Sequence, residues 1–143
     1  MLLPDVNVLV YAFRPDASDH EHYRAWLDDT VNGEANYGCS DLVLSGFLRV
    51  VTHPRIYREP SLPAEALAFA QVVRGQPTCR PVFPGAQHWS IFTRLCQQAN
   101  AKGNLVADAF LAALAIESGC EWVSADRDFA RFAGLRWRHP LDG

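Results

Sequence analysis

Apolar positions along this chain fall into two alternating patterns. Short apolar runs stand between longer stretches in which apolar residues return every three or four positions, the spacings of strand and helix. Met1–Pro4 is a short apolar entry, and after Asp5 the residues Val6, Leu9, Val10 and Phe13 recur at helical offsets. Asp19–Val31 places Tyr23, Trp26, Leu27 and Val31 on one helical face and ends at Asn32-Gly33. Asn36–Ser40 reads as a strand. Asp41–His53, with Leu44, Phe47, Leu48 and Val51 in phase, reads as an amphipathic helix that stops before Pro54. After the loop Arg55–Leu62, Pro63 suits the first turn of a helix running to Val73, with Gly75 as its stop. Thr78–Phe83 reads as strand and Gln87–Ala101 as a helix with Trp89, Phe92, Leu95 and Cys96 on one side, broken by Lys102-Gly103-Asn104. Leu105–Ser118 is so apolar that burial over most of its circumference is expected. Gly119 ends it, Cys120–Ser124 is a strand, Asp126–Phe132 a short helical turn and Leu135–Trp137 a last strand.

Strands alternating with helices predict an α/β fold, a three-layer α/β/α sandwich around a mainly parallel central sheet. The length of 143 residues suits a single domain over 1–143. A chain that is 49% hydrophobic and 20% charged is not a disordered one. Thirteen basic against sixteen acidic residues give a net charge of −3, which argues against gripping nucleic acid by overall charge and leaves room for a local basic groove. Cys39, Cys79, Cys96 and Cys120 form no CxxC pair and sit beside apolar or small residues, so buried free thiols are expected. The first residues have no basic region, and Asp5 and Asn7 interrupt their apolar run; the expectation is a soluble protein of a reducing cytoplasm, with no membrane segment.

In parallel sheets chemistry gathers beyond the carboxyl ends of the strands. Three acids occupy such places: Asp5 where the first strand gives out, Asp126 two residues past the strand Cys120–Ser124, and Asp108 in the first turn of an apolar helix. Clustered carboxylates need a cation or shared protons, and oxygen donors without His or Cys suit Mg²⁺ or Mn²⁺. The matching chemistry is phosphodiester hydrolysis by metal-activated water. Taken singly, Asp5 and Asp126 also read as helix caps, and Asp108 as a residue set against the helix dipole.

The opening LLPDVNVLVYAF resembles the start of PIN domains, and NLVADAFLAALAIESGCEWVSADRDFARFAGLRW resembles their C-terminal half. The middle stretch LVLSGFLRVVTHPRIY is similar to the VapC-type toxins of bacterial toxin–antitoxin pairs, so the likeness covers essentially the whole chain. The resemblance implies an endoribonuclease dependent on Mg²⁺, with Mn²⁺ as a substitute, inhibited by a VapB-like antitoxin and tending to form homodimers. By position it assigns Asp5, Asp108 and Asp126 to an acidic catalytic and metal site, Asp128 to a weaker further ligand, and Asn7 and Ser124 to supporting polar roles. Transfer RNA or a ribosomal loop is a reasonable substrate for the family. There is one departure: many relatives carry Glu at the position read here as Leu44, leaving a trio of acids unless Asp128 substitutes.

Arg14 and Arg49 are candidate RNA contacts, and Arg55 and Arg58 could extend the same groove. His20 and His22 are two apart on a helix and make a poor metal pair, while His53, His88 and His139 stand alone. Most of the tryptophans read as core, and Tyr37, Trp89 and Phe92 could instead face a protein partner. A haloacid-dehalogenase-type phosphatase would need a second Asp where Asn7 stands and a differently placed Lys than Lys102; a phosphoacceptor receiver fails on similar grounds. The remaining alternative is a catalytically weak or inactive PIN-fold module that binds RNA or protein, with Leu44 as its motivating feature.

Overall fold

The computed structural model describes residues 1–142. In chain order the elements are β1 (Leu2–Pro4), α1 (Val6–Phe13), α2 (His20–Val31), β2 (Tyr37–Cys39), α3 (Asp41–Val51), α4 (Pro63–Arg74), β3 (Cys79–Pro81), α5 (His88–Ala99), α6 (Asn104–Ser118), β4 (Glu121–Val123), a 3₁₀ turn Arg127–Arg131 and β5 (Trp137–Arg138). The five strands form one sheet in the order β3-β2-β1-β4-β5, with every pairing parallel. Right-handed crossovers put the helices between β1 and β3 on one face and those between β3 and β4 on the other, which makes the α/β sandwich. The chain steps outward from β1 to β2 and β3, then returns to lay β4 on the other side of β1. That reversal leaves a crevice outside the carboxyl ends of β1 and β4, the usual place for a ligand in such sheets.

The central strands are dry because β1 has neighbours on both sides. Leu3, Trp122 and Val123 have no exposed surface, and the register pairs Leu3 with Trp122 and Pro4 with Val123. Above them α1 buries Val8, Leu9 and Ala12, and α3 buries Phe47 and Val51. Phe13, Phe47 and Phe69 close the joint between α1, α3 and α4, with ring centroids 4.9 to 5.3 Å apart. The α1 and α3 helices approach closely at Gly46, where an added Cβ would stand 3.0 Å from a methyl of Val6. Gly119 ends α6 in the left-handed conformation, with φ of 69°, as the sequence pattern requires of a helix stop. No helix among the described residues is long and apolar enough to cross a membrane.

Several details differ from the sequence reading. The α6 helix begins at Asn104, so Asp108 lies beyond its first turn, and the helix dipole no longer accounts for it. The same helix buries Ala109 and the run Ala112–Ala115, while Val106 and Ala107 are exposed, because its first turn projects past the sheet. Trp89 is 68% exposed, since α5 turns His88 and Leu95 inward and Trp89 lies off that stripe. His88 can be buried there because its Nε2 meets the carbonyl of Phe110 at 2.9 Å. Tyr37, weighed above as a protein-facing residue, is instead buried, its hydroxyl donating to the carbonyl of Val73. Cys39, Cys79 and Cys120 are buried free thiols and Cys96 is partly buried.

Candidate active site

Asp5 is the first residue past β1, and the parallel register sets it beside Ser124, the first residue past β4; its N–H donates to the carbonyl of Val123 at 2.8 Å. It caps α1, Oδ1 accepting from the Val6 N–H at 2.6 Å. Its Oδ2 accepts from the Ser124 hydroxyl at 2.7 Å and from the Asn7 amide at 3.4 Å. Ser124, with no exposed surface, also accepts from the Asp126 N–H at 3.0 Å and from Asn7 Nδ2 at 3.1 Å. The Oδ1 of Asn7 accepts from the Ala125 N–H at 3.1 Å. One short network thus ties the loop after β1 to the loop after β4. Asp126 caps the 3₁₀ turn, accepting from the Asp128 N–H at 2.9 Å. Asp5 and Asp126 are therefore both helix caps, as their positions in the sequence allow.

Asp5, Asp108 and Asp126 all border one open cleft of about 440 Å³, together with Asn7, Tyr11, Arg49, Tyr57 and Phe129. Asp5 is almost fully buried, and that desolvation, reinforced by the charges of Asp108 and Asp126, pushes its carboxyl up to about 6 against the opposing hydrogen bonds from Ser124 and Val6. Burial also raises Asp108, with Asp126 and Asp128 adding to it and Arg131 opposing. Like charges around an open cleft, with Asp5 buried and Asp108 and Asp126 partly so, are an electrostatic deficit that a cation relieves. Among the described residues no group of three or more His, Cys, Asp or Glu side chains is placed to hold a metal ion as it stands. The acidic donors at the cleft, Asp5, Asp108 and Asp126, offer oxygen only, the donor type that suits a hard divalent ion keeping several waters.

Asp128 does not border the cleft; its side chain is 73% exposed, 3.9 Å from Arg131. Arg49 borders the cleft, is exposed and makes no ion pair among the described residues. Arg14, a candidate RNA contact from sequence, is spent inside the chain. Its guanidinium donates to both carboxylate oxygens of Asp16 at 2.9 and 2.6 Å, to the Glu59 carbonyl at 2.9 Å and to the Ser61 hydroxyl at 3.0 Å. It also lies 3.8 Å from the ring centroid of Tyr57, so it positions the loop after α3 and has no free edge for phosphate. Arg55 and Arg58 are exposed on that loop, outside the cleft lining.

Leu44, read as the place of a missing Glu, is 6% exposed and packs in the core beside α4, away from the acids. The α3 residues that reach the cleft are Arg49 and Val50. Leu44 is therefore no vacant ligand position. Sequence reading missed Tyr11 and Tyr57. Tyr11 follows Asn7 by four residues on one face of α1, a spacing that points it to the site; Tyr57 is on a loop and gave no such signal.

The PIN domain model matches residues 2–135, and the chain belongs to the PIN-domain family. It is 48% identical over 143 residues to ribonuclease VapC43 of Mycobacterium tuberculosis, covering 100% of this chain and 97% of that one. Ribonuclease VapC25 of the same organism is 43% identical over 140 residues, 98% of this chain and 99% of that one. Among solved structures, VapBC2 from Rickettsia felis bound to a promoter DNA fragment superposes with a TM-score of 0.69 at 16% identity, covering 96% of each chain. VapC20 of Mycobacterium tuberculosis, described as a sarcin-ricin loop cleaving toxin, gives 0.66 at 16% identity over 95% of this chain and 99% of that one. The chain is thus a homologue of VapC ribonucleases, and PIN-domain ribonucleases are generally dependent on a divalent metal.

Proposed function

We propose that this chain is the toxin of a toxin–antitoxin pair and acts as a Mg²⁺-dependent endoribonuclease, with Mn²⁺ able to replace Mg²⁺. The observation that carries the reading is the meeting of Asp5, Asp108 and Asp126, from two strand ends and a helix, around one cleft with unrelieved negative charge. The names of the VapC relatives support the ribonuclease class. The VapBC complex among its structural neighbours supports a cognate, VapB-like antitoxin. The working unit is a single domain that pairs as a homodimer in the cytoplasm, on a transfer RNA or ribosomal RNA substrate.

The carboxylate oxygens of Asp5, Asp108 and Asp126 would hold the ion, and Asp128, outside the cleft lining, adds negative charge near Asp108. When bound, the ion supplies Lewis-acid activation of water and neutralises phosphate charge. Ser124 and Asn7 fix the rotamer of Asp5 through their hydrogen bonds to Oδ2, so the ligand is in place before RNA arrives. Arg49 meets a backbone phosphate at the mouth of the cleft, opposite in charge to the acids and unspent on any ion pair among the described residues.

The test is cleavage of total RNA with Mg²⁺, with Mn²⁺ and with EDTA, by wild type and Asp108→Asn. Discrete products that disappear with EDTA and with the substitution support the reading, and end mapping names the substrate. Intact RNA in every lane, from folded protein free of antitoxin, would leave the binding-module alternative.

A further inference from the structure

A second cavity, of about 320 Å³, adjoins the acidic cleft and is lined chiefly by Tyr11, Asp16, Asp19, Tyr23 and Tyr57. Tyr11 and Tyr57 border both spaces, so the two meet at these rings. Both rings are held. Tyr57 carries the Arg14 guanidinium on its ring, and Arg14 is itself pinned by Asp16, the Glu59 carbonyl and Ser61. Tyr11 stands edge-on to Tyr23 with centroids 5.1 Å apart. Tyr37 is the one tyrosine whose hydroxyl is hydrogen-bonded among the described residues; those of Tyr11, Tyr23 and Tyr57 make no such bond there. Asp16 and Asp19 are exposed at the same cavity.

Resting on the ribonuclease reading above, we propose that this cavity is a nucleobase subsite, taking the base of a nucleotide that adjoins the cleaved phosphodiester. Asp16 is neutralised by Arg14, which donates to both of its oxygens, so Asp19 is the acceptor free for a base edge, with the remaining lone pairs of Asp16 beside it. Aromatic walls offer the π-faces on which single-stranded bases stack. The carboxylates favour a base with an exocyclic amine (adenine, cytosine or guanine) over uracil. Arg14 is the positioning residue of this subsite: it sets the ring of Tyr57 from behind and touches no RNA.

The experiment uses oligoribonucleotides carrying the mapped cleavage sequence, intact or with one abasic residue on either side of the cleaved bond. Wild type, Tyr57→Leu and Tyr57→Phe are compared with kcat and KM measured separately, their folding checked by circular dichroism. Leu keeps bulk beneath Arg14 and removes the π-face; Phe keeps the π-face. Loss of the stacked base on one side of the bond raises KM about tenfold in wild type and in Tyr57→Phe, and leaves it unchanged in Tyr57→Leu. An equal abasic penalty in all three enzymes, with cleavage intact, overturns the subsite and leaves the ribonuclease reading standing. No cleavage of any RNA by wild type overturns both. A Tyr57→Leu variant that keeps the wild-type penalty but no longer holds a co-expressed antitoxin assigns the rings to the protein partner and overturns the nucleobase reading.

Discussion

Replacing Asp5 by Asn removes the charge from the most buried carboxylate of the cleft and keeps its shape. The Asp5 carboxyl moves from 3.8 to about 6 on folding, chiefly because it is desolvated. Roughly two pKa units correspond to about 3 kcal/mol of differential stability. The sign follows from proton counting. Between about pH 4 and pH 6 the folded chain holds a proton at Asp5 that the unfolded chain has lost, so stability falls as pH rises through this window. Above pH 6 the cost is present in full. Asn has no such titration, but its single carbonyl oxygen cannot accept from both the Val6 N–H and the Ser124 hydroxyl, a loss of about 1 kcal/mol at any pH. Metal-free Asp5→Asn should therefore be about 1 kcal/mol less stable than wild type near pH 4 and about 2 kcal/mol more stable near pH 8. Urea unfolding in EDTA at several pH values measures the crossing. A difference that stays constant with pH, or that turns further against Asn as pH rises, would refute the burial argument.

Other substitutions probe the surrounding parts. Ser124→Ala should cost about 1–3 kcal/mol by urea unfolding, because it strips a partner from buried Asp5, and should push the Asp5 carboxyl higher still. Arg14→Ala should cost about 2 kcal/mol through lost charged hydrogen bonds to the Glu59 carbonyl and Ser61, with faster amide exchange across residues 53–62 as the specific sign. Leu44→Glu should destabilise the chain by about 3 kcal/mol or more, since it buries an unpaired carboxylate, and should leave Mn²⁺ affinity unimproved. A tighter metal site in that variant would reinstate Leu44 as a lost ligand position.

Much of this architecture is readable before any coordinates, for physical reasons that also mark the limit. The apolar runs at Leu2–Pro4 and Glu121–Val123 stand out because both strands lie mid-sheet with neighbours on each side, and the strand-end rule then selects Asp5 and Asp126. Local pattern fails where burial depends on a distant segment. Trp89 fits the apolar spacing of α5, yet only the packing of His88 against Phe110 decides which side of that helix is covered. Arg14 reads as a surface base because its carbonyl and hydroxyl partners lie 45 and 47 residues further on. Asp108 is legible only as an acid in an apolar helix; the reach of α6 past the sheet brings it to the cleft. Tyr57 sits on a loop without periodicity, so its place beside the acids is a product of the fold alone.

The most direct test of the central claim joins metal binding and cleavage in one series. Mn²⁺ binding is followed by electron paramagnetic resonance, and RNA cleavage is read from the same samples, for wild type, Asp5→Asn, Asp108→Asn and Asp126→Asn. One site built from three carboxylates predicts that each substitution weakens Mn²⁺ binding and abolishes cleavage, while circular dichroism shows the fold intact. Cleavage at the wild-type rate by any of the three folded variants, or in the presence of EDTA, would contradict it.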